Sequence, residues 1–114
     1  MVTPLAGAVV IVPFPFSDLS QAKRRPAVVL ADAGRDDWIL CQITSNPYGD
    51  RRAIMLTATS FAKGSLPITS YARPAKLFTA NSALMVAQAG TLTPDSLGQL
   101  IEAVVRMLRA DVTI

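Results

Sequence analysis

"TLTPDSLGQLIEAVVRMLRA", Thr91 to Ala110, is the one long stretch whose apolar residues recur with the period of a helix. Leu97, Leu100, Ile101, Val104, Val105 and Leu108 fall at i, i+3, i+4, i+7, i+8 and i+11, a single helical face. Thr93 offers a hydroxyl as N-cap. Pro94 fits the first helical position, where no N–H is needed, and Asp95 complements the positive end of the helix. Arg106 and Arg109 suit the opposite end. Gly98 interrupts the pattern, at a cost of about 1 kcal/mol relative to alanine.

Everything before this segment has a different rhythm. "GAVVIVPF" carries the β-branched density of a strand over Ala8 to Val12, and Pro13 and Pro15 are expected to end it, because proline cannot donate to a ladder. Further strands are expected at "AVVLA" (Ala27 to Ala31), "WILCQITS" and "RAIMLT", with two short ones near Ala75 to Phe78 and Leu84 to Ala89. "PFPFSDLSQAKRR" reads as a loop, "DAGRDD" and "NPYGD" as turns, and "SFAKGSLPITS" as a looser segment turning near Lys63-Gly64. Short strands separated by frequent turns indicate a small barrel or sandwich, mainly β, with the C-terminal amphipathic helix over its open edge or mouth. There is no internal repeat and no low-complexity linker, so residues 1–114 read as a single domain.

The composition excludes several chemistries. The chain has no histidine, hence no imidazole base, no Ser-His-Asp arrangement and no histidine metal site. The lone cysteine, Cys41, sits in "WILCQI" and is expected to be a buried, inert thiol. No metal site or cofactor is expected, and no glycine-rich phosphate loop occurs. No window approaches the roughly 18 uninterrupted apolar residues of a membrane span. The N-terminus lacks the basic start of a signal peptide, so a cytoplasmic protein is expected. A net charge of +3 allows an anionic partner without requiring one.

What remains for chemistry is cations and hydroxyls. Lys23, Arg24 and Arg25 form one cluster, Arg51 and Arg52 a second, and Arg73 with Lys76 a third, all read as lying at strand ends or in loops. Solvated surface charge is the ordinary reading of each. Arg25 stands apart because Pro26 drives it into extended geometry, projecting a planar guanidinium from a stiff strand entrance. In "WILCQIT" a period of two sends Ile39, Cys41 and Ile43 to one face, and Gln42 and Thr44 to the other. If the apolar set faces the core, Thr44 faces outward. Antiparallel pairing of the second and third strands would bring Arg25 beside Thr44. Such a pair suits phosphodiester cleavage in which an RNA 2′-OH attacks its own phosphate, since that step needs donors aimed at the growing negative charge. Ser45 and Asn46 extend the polar edge, and Phe14 and Phe16 offer rings for stacking unpaired bases.

The order and spacing of "GAVVIVPF", "RRPAVVL", "ITS", "SYARPAKLFT" and "GTLTPDSLGQLIEAVVRML" resemble the MazF/PemK family of toxin endoribonucleases nearly end to end. The resemblance implies an SH3-like barrel with a C-terminal helix, acting as a homodimer. It implies metal-independent cleavage of single-stranded RNA to 2′,3′-cyclic phosphate and 5′-hydroxyl ends. It implies a cognate antitoxin, with operator DNA bound only together with that antitoxin. The family's active-site arginine corresponds to Arg25 and its threonine to Thr44. Phe14, Phe16, Asp18, Lys23, Arg24, Ser45 and Asn46 are the expected substrate-binding residues, with Asp18 also a candidate base. Two departures stand out: Gly7-Ala8 replaces the common Gly-Asp, and the first loop lacks the glycine and glutamate often found before the arginine. A non-catalytic module that grips nucleic acid or antitoxin is the alternative.

Overall fold

The computed structural model describes residues 2–15 and 22–110. Seven strands precede one helix: β1 (Ala8–Pro15), β2 (Ala22–Gly34), β3 (Asp37–Thr44), β4 (Ile54–Leu56), β5 (Phe61–Gly64), β6 (Ser70–Asn81), β7 (Ala87–Leu92) and α1 (Pro94–Ala110). Short 3₁₀ turns occupy Ala58–Ser60 and Ser82–Leu84. The strands form one antiparallel sheet in the order β4-β6-β3-β2-β1-β7-β5. Its two edge strands, β4 and β5, are successive in the chain and joined through the first 3₁₀ turn, so the sheet curls into a nearly closed barrel. The mainly β barrel with a C-terminal helix is therefore the observed architecture, and the sandwich is not formed.

Several strands run longer than their composition indicates. β1 continues through Pro13 and Pro15, which pair with Arg24 and Ala22. The second neighbour of β1, β7, pairs only as far as Ile11, so the prolines lie where one side of the strand has no ladder to supply. β2 starts at Ala22, which moves Lys23, Arg24 and Arg25 out of the expected loop and into a hairpin strand. Its other end reaches Gly34, and Arg35 and Asp36 turn the chain with φ of 55° and 63°, the left-handed pair of a type I′ hairpin.

β6 runs from Ser70 through Pro74 to Asn81, longer at both ends than the short strand expected near Ala75 to Phe78. The β3–β6 register slips between Cys41 and Ile43, and β4 covers only Ser70 to Ala72, so Pro74 falls at the irregularity. Arg73 and Lys76 thus lie within a strand, not at its end. β5, read as a looser segment, pairs with β7. Gly64 and Gly90 make that approach possible: a Cβ on either would overlap the backbone of the facing strand.

The sheet is packed on both faces. Val9, Val28, Cys41, Ile43 and Leu92 on one face join Leu100 and Val104 of α1. Val10, Val12, Ala27, Val29, Leu40 and Met85 form a second cluster on the other. The helix begins where expected: the Ser96 N–H donates to Thr93 Oγ1 at 3.1 Å. Half of its apolar stripe is not used internally. Ile101 and Leu108 are 38% and 61% exposed and, with Leu30, Ile39, Leu77 and Val105, line an apolar groove of about 340 Å³. No helix among the described residues is long and apolar enough to cross a membrane.

Candidate active site

Pro26 leads Arg25 into β2, where Arg25 pairs with Val12 of β1. On the other side, Ala27 pairs with Gln42 of β3, and continuing that register by two residues sets Arg25 beside Thr44. Parity agrees. Arg25 shares a face with Ala27 and Val29, and Thr44 shares the same face with Leu40. Both residues line a cleft of about 290 Å³ with Arg24 and Ser45. Arg25 is half-buried with its Nε shielded from water, and Arg24 is exposed.

Thr44 corrects the sequence reading. It is 4% exposed and not an outward-facing residue, because the face opposite Cys41 and Ile43 is also packed. Its Oγ1 donates to the Asn46 carbonyl at 3.0 Å and accepts from the Asn46 N–H at 3.2 Å. Asn46 is thereby held next to the cleft without lining it, and its own Oδ1 accepts from the Tyr48 N–H at 3.0 Å. Lys23 is exposed and does not line the cleft. Phe14 is placed by its backbone alone, opposite Lys23. Phe16 and Asp18 lie outside the described residues.

The rest of the wall was not anticipated. Leu66, Pro67 and Ile68, between β5 and β6, line the cleft together with Ile11 and Ser70. The signal was present as an apolar triplet in a polar stretch, and Ile68 remains 60% exposed. One wall thus carries cations and hydroxyls, and the remainder is apolar. An anion beside a flat apolar group fits that division better than either alone.

Arg73 is not a free surface charge. Its Nε donates to Asp50 Oδ2 at 2.9 Å, and both side chains are largely buried. That hydrogen bond, reinforced by the Arg52 N–H donating to Oδ1, holds the Asp50 carboxyl below the ordinary carboxylate range. Cys41 donates to the Arg73 carbonyl at 3.1 Å, and burial pushes its thiol up to about 12. It is an inert core residue, as its neighbours suggested.

The fold has close relatives among solved structures. A MazE-MazF crystal structure from Deinococcus radiodurans superposes with a TM-score of 0.75 at 21% identity, covering 95% of this chain and 97% of that one. A MazF crystal structure from the same organism gives 0.73 at 21%, covering 95% and 98%. An endoribonuclease in complex with its cognate antitoxin, from a mycobacterial species, gives 0.71 at 15%, covering 95% of each. At these identities the likeness is one of fold. No curated protein matches the chain in sequence. A family model does, from residue 5 to residue 108, and so takes in β1 through most of α1: the chain belongs to the PemK-like, MazF-like toxins of type II toxin-antitoxin systems.

Proposed function

We propose that the chain is a toxin endoribonuclease that cleaves single-stranded mRNA without a metal ion, at the cleft between Arg25 and Thr44. The observation that carries this reading is the meeting of Arg24, Arg25, Thr44 and Ser45 in one cleft, within a chain of this family. In the reaction the substrate's 2′-oxygen forms a bond to the adjacent phosphorus while the bond from phosphorus to O5′ breaks. The 2′-OH gives up its proton, O5′ gains one, and the products are a 2′,3′-cyclic phosphate and a 5′-hydroxyl. Charge builds on the non-bridging oxygens. The Arg25 guanidinium, a permanent cation, meets it with a fork of donors, and the Thr44 hydroxyl orients the phosphate. Arg24 and Ser45 hold the flanking backbone, and the apolar wall accepts a base.

The apolar groove on α1 supports a second copy of the chain as partner, giving a homodimer in the cytoplasm. An acidic antitoxin segment is the natural inhibitor of a cationic cleft. The antitoxin-bound relatives support that partner.

The deciding experiment incubates purified chain with single-stranded RNA in EDTA and maps the new 5′ ends. Cleavage leaving 5′-hydroxyl ends is expected. Arg25→Ala is expected to lower kcat about 10²- to 10³-fold, the usual effect of losing one oxyanion donor, with RNA still bound. The Thr44 hydroxyl already donates to Asn46, which favours one rival: a module that binds nucleic acid and cuts nothing. Tight RNA binding with no cleavage by the wild-type chain would establish it.

A further inference from the structure

The turn that follows the cleft carries a residue its backbone does not favour. Ser45 lines the cleft, and the third residue after it is Tyr48, which has a φ of 52° and is 73% exposed. Gly49 follows with a φ of 73°, and the Asp50 N–H donates to the Pro47 carbonyl at 2.9 Å. Pro47 to Asp50 is thus a tight turn with both central residues in the left-handed region. Asparagine or aspartate before glycine suits that geometry, whereas the Cβ of a tyrosine is crowded in it. An exposed ring recovers little of that cost by packing, so the fold alone gives no reason for tyrosine here.

The turn is nevertheless fixed at both ends. On the cleft side, Thr44 Oγ1 bonds both the N–H and the carbonyl of Asn46, and Asn46 Oδ1 accepts from the Tyr48 N–H at 3.0 Å. On the other side, Asp50 accepts from Arg73 Nε and from the Arg52 N–H, each at 2.9 Å. Three peptide units separate Ser45 from Tyr48, so their Cα atoms are at most about 11 Å apart. A base adjoining a phosphate in the cleft can reach the ring. A flat ring on braced backbone, presented to water beside a cationic cleft, is the kind of surface on which single-stranded nucleic acid stacks. We propose that Tyr48 is the stacking platform for the unpaired base next to the phosphate held at Arg25 and Thr44. The inference deepens the nuclease reading and rests on it for the position of that phosphate. The platform grips any base, since each offers a π face, and it disfavours duplex, whose bases are already stacked on their neighbours.

The test titrates the intact chain with a 2′-O-methyl oligoadenylate, whose blocked 2′-oxygen cannot attack, so binding is read whether or not the chain cuts RNA. The Tyr48 ring protons are expected to shift upfield. Tyr48→Asn is expected to weaken binding about tenfold, and Tyr48→Phe to stay within about twofold of wild type. The asparagine variant is also expected to unfold about 4 °C higher, because asparagine accepts the left-handed turn. Gained stability with lost affinity is an outcome that a merely structural tyrosine would not give. In cleavage of single-stranded RNA, the same variant should raise KM and leave kcat unchanged. An absent ring shift, or unchanged affinity in Tyr48→Asn, would overturn the inference, and cleavage by the wild-type chain would then leave the nuclease reading standing. A change of oligomeric state in Tyr48→Asn would also overturn it, by placing the ring between copies of the chain. Ring shifts and the tenfold loss without any cleavage would uphold the platform on a binding module and strike the nuclease reading instead.

Discussion

Thr44 holds a hydroxyl with one proton, and that proton already goes to the Asn46 carbonyl. To donate to a phosphate, the side chain must release Asn46 at the moment substrate arrives. Thr44→Ser keeps both the turn and the donor and should retain most of the activity. Thr44→Val loses both and should lower kcat/KM about 10²-fold in single-turnover cleavage assays. The proximity of Arg25 and Thr44 was legible, because Arg-Pro marks a strand and antiparallel pairing fixes the register. The burial of Thr44 was not, because alternation reveals a core only when one face of a sheet is dry, and here both are packed. Cys41 gives a cleaner residue-level outcome. Its pKa is raised from 9.0 to about 12, so the stability it contributes is fully present below 9.0 and is lost as pH climbs toward about 12. A chromogenic disulfide reagent at pH 8 should leave the native thiol untouched and titrate it fully in denaturant.

At the scale of elements, the helix was the most legible part, since its caps and its period are written in neighbouring residues. Thr93→Ala should lower stability by about 1 kcal/mol in urea unfolding, as the Ser96 N–H loses its acceptor. Gly98→Ala should raise it by about 1 kcal/mol, because a Cβ there meets nothing within 4 Å. β6 was misread for the opposite reason. The strand was expected only near Ala75 to Phe78, after Pro74, and only the slip against β3, a long-range event, shows why the proline is tolerated inside it. The Asp50–Arg73 pair likewise joins residues far apart in the chain. Asp50 titrates below its ordinary value of 3.8, so its contribution is present above that pH and disappears as pH falls through the native value. Asp50→Asn should therefore cost about 1 kcal/mol at neutral pH and flatten the acid limb of a stability–pH curve.

For the molecule as a whole, the apolar groove along α1 and the cationic cleft make separable forecasts. Replacing exposed Leu108 and Ile101 together by glutamate should convert the proposed dimer to a monomer in sedimentation experiments, with the monomer's circular dichroism intact. RNA affinity should fall with salt at a log–log slope of about −0.7 per phosphate neutralised. Barrel and helix together could be anticipated from strand-like runs followed by one helical run. The closure of the barrel could not, because β5 has little hydrophobic signature and is held by the glycine crossing with β7.

That crossing has a consequence for the cleft. The five residues from Ser65 to Thr69 depart from Gly64, pinned against β7, and return at Ser70, whose side chain is buried and bonded to the Ile68 carbonyl. Both ends of the span are thus rooted in the barrel while its crest, Pro67 and Ile68, overlooks the cleft. A strap fastened in this way can be re-lettered at its middle without loosening the frame beneath, which, under the nuclease reading proposed above, makes it the natural place to retune base preference.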